Sequence, residues 1–188
     1  TMQPSFMESV WWVFKQLWDQ NRVYRSHRIM PYSWKLSTPL SNFEAGNNYK
    51  DVQDPAVTVR CRITEGARAG WGEEAYLLVW TTTPWTLLTN FAICAGPAID
   101  YVAVRDKADG AVYILAEARL SAVFKKADAY DILETFKGEA LKGIRYEPIF
   151  PYYKDKPNAF VVLTDDYVTT TDGTGLVHNA PAQGMEVR

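Results

Sequence analysis

Two cysteines, Cys61 and Cys94, are all that the 188 residues contain, and they stand far apart with no CxxC spacing. A thiolate zinc site needs soft ligands paired at short spacing, so none can be read here, and a reducing compartment is the default. No apolar run is long enough to span a bilayer, and the first residues carry no signal-peptide pattern. The cytoplasm is the simplest assignment. Positive charge is scarce too: the net charge is −2. That excludes a protein coated in Lys and Arg that grips nucleic acid everywhere, though a local RNA contact stays open. Also missing are a nucleophile-elbow motif with its Ser-His-Asp partners, a metal-ligand cluster, an internal repeat and a low-complexity tract.

What is present suits a folded domain. Hydrophobic residues make up 47% and charged residues 22%, ordinary values for a soluble chain with a real core. Aromatics are abundant, with seven Trp and eleven Tyr. They suit core filling or a surface that stacks on bases, and composition favours the first. Residues 5–18 have helical periodicity, with Met7, Trp11, Phe14 and Trp18 on one face and a capping-box spacing at Ser5 and Glu8. Segment 33–55 reads as a long loop. After Pro55 the pattern alternates: Val57, Val59, Cys61 and Ile63 against Thr58, Arg60 and Arg62, a half-buried strand. Further strands are expected at 75–81, 91–94, 101–105, 111–116, 130–136, 159–164 and 174–179, with a hairpin turn at Asp109-Gly110 and a helix at 117–125. Many short strands and few helices suggest a closed barrel or a sandwich.

Two segments carry chemistry. Trp80-Thr81-Thr82-Thr83-Pro84-Trp85-Thr86-Leu87-Leu88-Thr89-Asn90 follows an apolar strand. Proline ends ladder pairing there, leaving a bend lined with uncharged hydroxyls. Such groups can hold an ester, a ribose or a water; a threonine-rich strand end without function reads the same way. The second segment is Asp172-Gly173-Thr174-Gly175-Leu176-Val177-His178-Asn179-Ala180-Pro181, whose glycines permit close backbone approach. A lone histidine after an apolar strand is more often structural than functional. His27 has no such context and reads as a surface or structural residue.

The threonine string closely resembles the signature of the editing domain (the CP1 insertion) of isoleucyl-tRNA synthetases. Pro84-Trp85-Thr86 separates it from the valyl and leucyl branches, which have Arg-Pro soon after their threonines; Leu88 departs from the family's proline. The glycine-flanked His178 string resembles the second editing motif, which related synthetases share. Phe6-Met7-Glu8-Ser9-Val10-Trp11-Trp12, Thr38-Pro39-Leu40-Ser41-Asn42-Phe43-Glu44 and Asn48-Tyr49-Lys50-Asp51-Val52-Gln53-Asp54-Pro55 look like the cytosolic eukaryotic form.

The resemblance implies a mainly β fold with peripheral helices, α+β by content, around the closed β-barrel core of the valyl, isoleucyl and leucyl editing domains. It implies one editing domain over 1–188, with 1–30 the junction from a parent enzyme and 56–188 the β-rich core; the chain's ends read as those of an excised piece. The implied activity is hydrolysis of valine from mischarged tRNA(Ile) by a positioned water. Thr81, Thr82, Thr83 and Thr86 would be catalytic, and Trp80, Asn90, His178 and Glu186 substrate-binding, His178 shaping the amino-acid pocket. No metal or cofactor is implied for this chain. ATP and magnesium belong to the parent's aminoacylation domain, whose HIGH and KMSKS motifs are missing here. The implied partners are the tRNA(Ile) 3′ end carrying valine and the parent's catalytic and anticodon-binding domains, without a membrane. One position departs: the family's ammonium-binding aspartate, about nine residues after the histidine, is Val187, with Glu186 beside it to take the role by a one-residue shift. The rival readings are an editing-inactive structural insert, a non-catalytic tRNA-binding module and a generic ligand-binding barrel.

Overall fold

The computed structural model describes residues 1–26, 28, 30–47, 49–51, 53 and 55–181. Two compact units divide the chain, 1–52 and 53–188.

In the first unit, helix α1 spans Pro4–Asp19. Pro4 takes the first helical position, where a fixed φ helps and a missing amide costs nothing. The N-cap therefore falls on Gln3, which gives no side-chain cap. The expected box at Ser5 and Glu8 does not form; Ser5 lies inside the helix, and its carbonyl accepts from the Ser9 hydroxyl at 2.9 Å. No α1 residue is buried, and Trp11, Trp12, Phe14 and Trp18 are all more than half exposed. The segment expected as a long loop holds small elements. Strands β1 (Tyr32–Ser33) and β2 (Thr38–Pro39) pair antiparallel, and helix α2 (Asn42–Ala45) carries the capping box, between Ser41 and Glu44.

In the second unit, β3 (Val57–Glu65) sets the architecture. Its inward residues, Cys61 and Ile63, are buried, while Arg60 and Arg62 face out, as alternation requires. Over Val57 to Arg62 it pairs antiparallel with β4 (Ala75–Thr81). At a bulge between Ile63 and Glu65 it passes to β9 (Arg145–Tyr146). A bulge bends a strand and raises its twist, so β3 belongs to two halves of one sheet. The remaining strands are β5 (Ala92–Ala95), β6 (Asp100–Asp106), β7 (Val112–Ala116), β8 (Tyr130–Lys137), β10 (Val161–Thr164) and β11 (Leu176–Asn179). The sheet order is β11-β5-β10-β9-β3-β4-β7-β6-β8, with β4–β7 and β5–β10 parallel and the rest antiparallel.

This order corrects the expected closed β-barrel core: the sheet is mixed and open, and among the described residues its end strands, β11 and β8, do not pair. The chain entering β11 explains why. Gly173 and Gly175 have φ of +68° and +76°, which breaks the extended run a closing ladder would need. The flanked Thr174 instead makes two isolated bonds to the other half: its hydroxyl donates to Leu78 O at 2.6 Å, and its carbonyl accepts from Ala116 N at 2.8 Å.

The main core lies between the halves, with Leu77 and Val79 of β4, Ile93 of β5, Tyr101 of β6, Ile114 of β7, Val162 of β10 and Leu176 of β11 fully buried. A second cluster, Leu78, Val102, Val104, Tyr113 and Leu115, fills the opposite face of β4, β7 and β6 beneath Leu120 of helix α3 (Leu120–Val123). Strands buried on both faces read as continuous apolar runs, which is why β7 is Val-Tyr-Ile-Leu-Ala.

Candidate functional site

At Thr81 the β4 ladder ends and Pro84 starts a 3-10 helix, Pro84–Thr89. The hydroxyls between them are bonded in series. Thr81 Oγ1 accepts from the Thr83 amide at 3.0 Å and lies 3.3 Å from Thr83 Oγ1. Thr83 Oγ1 is 3.1 Å from Thr86 Oγ1, and the Thr86 hydroxyl donates to Thr83 O at 2.7 Å. Thr86 Oγ1 is in turn 2.9 Å from Nε2 of His178, 92 residues away in sequence. The threonine bend and the glycine-flanked imidazole therefore meet. Thr82 is exposed in the bend and takes no part in this series.

His178 is held by β11, where it pairs with Ile93 of β5, and it is only 7% exposed. Burial lowers its pKa below the ordinary imidazole value, keeping the ring neutral. Tyr101 steadies the approach to β11 from behind: its hydroxyl donates to Gly175 O at 2.5 Å and accepts from Gly96 N at 3.0 Å.

Beside the ring lies a narrow hollow lined by Val59, Cys61, Val79, Leu87, Asn90, Ile93, Ile149 and His178. Two cross-strand pairs form its walls: Val59 opposite Val79, and Ile93 opposite His178. The hollow is thus the end of the core between the two sheet halves. Burial pushes the Cys61 thiol up to about 12, so it remains protonated and serves as a small apolar surface. Asn90 is fixed at both ends of its amide. Tyr146 OH donates to Oδ1 at 2.7 Å, and Nδ2 donates to Ala92 O at 3.1 Å. Among the described residues, no three His, Cys, Asp or Glu side chains gather as metal ligands would.

Of the residues singled out from sequence, Thr81, Thr83, Thr86, Asn90 and His178 come together around this corner. Trp80 does not join them: alternation turns it to the face opposite Val79 and Thr81, and its ring leaves no room for a side chain at Gly173, where an added Cβ would stand 2.7 Å from it. Glu186 and Val187 lie outside the described residues, as does His27. Sequence reasoning missed Tyr146, which sits on a two-residue strand too short to give a periodic signal. It also passed over Val59 and Cys61 as site residues, although their inward phase on β3 was readable.

The family model for class I tRNA synthetases (I, L, M and V) matches residues 1–174. The chain belongs to that family. This synthetase chain is 53% identical over 188 residues to the cytoplasmic isoleucine--tRNA ligase of Mus musculus, covering 99% of the chain and 14% of that protein. To the cytoplasmic enzyme of Saccharomyces cerevisiae it is 49% identical over 190 residues, covering 99% and 17%. It therefore spans only 14–17% of the length of these relatives. Among solved structures, the editing domain of the cytosolic leucyl-tRNA synthetase of P. falciparum matches with a TM-score of 0.54 at 14% identity, over 66% of this chain and 60% of that one. At that identity the match shows a shared fold. In this class I synthetase chain, the matched family region runs through the threonine bend and stops just before Gly175 and β11.

Proposed function

We propose that the chain is an editing module that hydrolyses the ester of valine on tRNA(Ile). The observation that carries the reading is the bond between Thr86 and His178 at the mouth of a small apolar hollow. An aminoacyl ester laid across the bend would send its side chain into the hollow and keep its carbonyl among the hydroxyls. The ester is already activated, so water held by Thr81, Thr82, Thr83 and Thr86 suffices, and positioning supplies the rate. Asn90, clamped by Tyr146, presents a fixed amide to the same corner. The reaction calls for no cofactor in this chain; ATP and magnesium would serve ligation elsewhere in the parent.

The size logic agrees. A site that prefers isoleucine over valine gains only about 1–3 kcal/mol from one methylene, the limit that isoleucine selection by this enzyme type commonly illustrates. A second hollow that admits only the smaller side chain makes up the shortfall, because overfilling a packed site costs about 1–3 kcal/mol. The uncovered apolar stripe of α1 suits packing against the rest of a parent enzyme, whose tRNA contacts would bring the 3′ end here; a cytoplasmic setting follows from that parentage. The test is incubation of the 188-residue chain with Val-tRNA(Ile) and Ile-tRNA(Ile). Release of valine with isoleucine retained supports the reading. Binding of the tRNA without release would make the chain a non-catalytic module.

A further inference from the structure

Aromatic rings in the second unit are exposed unevenly. Among its described residues, three are more than a third exposed: Trp85, Tyr152 and Tyr167. Each stands on a segment that builds the candidate site. Trp85 lies between Thr83 and Thr86 in the bend. The Tyr167 hydroxyl donates to Oδ1 of Asn179, the residue after His178, at 2.8 Å. Tyr152 follows Ile149, which lines the hollow, by three residues, a backbone reach of at most about 11 Å. Single exposed rings are ordinary on a protein surface, but three gathered on the segments of one site point to a flat ligand.

Of the three, Tyr152 is the most exposed, at 70%, yet its segment is built to hold still. The adjacent Tyr153 anchors the segment, meeting Phe91 edge-on at 5.6 Å. Pro148, Pro151 and Pro157 stiffen it, and turn bonds run from Lys154 N to Pro151 O at 3.2 Å and from Lys156 N to Tyr153 O at 2.9 Å. On this frame the Tyr152 ring lies nearly parallel to that of Phe150, at 6° with 6.2 Å between centroids, an offset stack. A ring that is exposed but fixed in plane loses little freedom when a flat partner settles on it. Lys154 and Lys156 are exposed on the same segment and make no ion pair among the described residues. Aromatic platforms beside unengaged ammonium groups are how proteins hold single-stranded nucleic acid. With a net charge of −2, stacking has to supply grip that a positive field would give elsewhere. Resting on the deacylase reading, which brings an RNA end to this corner, we propose that Tyr152, backed by Phe150, stacks on an unpaired base of the strand that carries the ester. A base inside a duplex has both faces covered, so the platform selects a single-stranded end over a helix.

The test takes two measurements on wild type, Tyr152→Phe and Tyr152→Ala. One is binding of a fluorescent single-stranded oligoribonucleotide that carries no amino acid. The other is the protein concentration that half-saturates single-turnover release of valine from Val-tRNA(Ile). Tyr152→Ala should weaken both by about fivefold or more, as loss of one base stack implies. Tyr152→Phe keeps the ring and should stay within about twofold of wild type. A blunt RNA duplex should bind wild type more weakly than the single strand and be indifferent to both substitutions. Because Tyr152 is exposed, Tyr152→Ala should unfold at the wild-type temperature, so its losses can be read as lost contact. Wild-type values in Tyr152→Ala, equal losses in Tyr152→Phe, or a duplex that depends on Tyr152 as the single strand does would overturn the proposal. The first of these is also the result expected if the ring docks another protein segment. A chain that releases valine but is insensitive to Tyr152→Ala loses the stack and keeps deacylation. A chain that releases none, yet binds the oligoribonucleotide through the Tyr152 ring, loses deacylation and keeps the stack.

Discussion

The Tyr146 hydroxyl donates to Asn90 Oδ1 at 2.7 Å, between two side chains that are 3% and 7% exposed. Burial raises the Tyr146 pKa, so the phenol stays a donor at any working pH. The Ala92 carbonyl takes a hydrogen from the other end of the amide, which fixes which way it faces. Tyr146→Phe keeps the ring edge-to-face with Phe160 but leaves Asn90 Oδ1 without a partner. The expected loss is about 1–3 kcal/mol of stability, read by urea unfolding, with slower release of valine. Unchanged stability and rate would mean that Asn90 holds its place without this bond.

The hydroxyl series should be needed for catalysis more than for folding. Replacing Thr82 and Thr83 together with Ala should abolish deacylation of Val-tRNA(Ile) while moving stability by about 1 kcal/mol or less, because Thr82 is exposed and Thr83 only half-buried. Wild-type deacylation by this double variant would remove the bend from the chemistry.

His178→Ala shortens one wall of the hollow and should let isoleucine in. Val-over-Ile selectivity, expected at about 10–200-fold if the ring excludes one methylene, should fall to near unity. The measurement is hydrolysis of Ile-tRNA(Ile) and Val-tRNA(Ile) under single-turnover conditions. If selectivity survives, the limit on size lies in Val59, Cys61 or Ile149.

The same ring links stability to acid. Its folded pKa lies below the ordinary value of about 6.5. Above that value both states are neutral and the contribution is complete. As pH falls below it, the unfolded chain takes the proton first, so stability declines until the folded value is passed. Between about pH 7.5 and about pH 5.5, wild type should therefore lose more stability than His178→Gln. Equal losses would show that the ring is solvated in the folded chain.

Gly175→Ala should be severe. Gly175 has φ of +76°, and an added Cβ would meet the Ala116 Cβ at 2.4 Å. Backbone strain and overpacking together should cost several kcal/mol, on the order of the sum of 1–3 for each. Thermal unfolding reads this directly; a drop of less than about 1 kcal/mol would mean that the approach to β11 is free to shift.

Most strands were legible because alternation or continuous apolar runs declare themselves: β3, β4, β6, β7 and β8 lie where periodicity puts them. Closure was not legible. Strand lengths do not reveal whether end strands pair, and the two isolated bonds of Thr174 that stand in for a closing ladder depend on positive φ angles that glycine merely permits. The cap of α1 was misread because Ser5 and Glu8 have the right spacing, yet Pro4 claims the first helical position. In the site, hydroxyl and imidazole chemistry could be named from two short strings. Their bond could not, since Thr86 and His178 stand 92 residues apart and only the β5–β11 register brings them together. Tyr146 gave no signal, because a lone aromatic on a two-residue strand has no period.

The pairing of His178 with Ile93 has a bearing on biogenesis. Val59 and Val79 are joined by a local hairpin, whereas the opposite wall needs a loop of some eighty residues to close, which is entropically late. A chain emerging from the ribosome can thus pair β3 with β4 well before the His178 side of the hollow exists. The hollow gains its His178 wall only when β11 pairs with β5, and amide protection at 176–179 during refolding should never run ahead of the protection of β3 and β4.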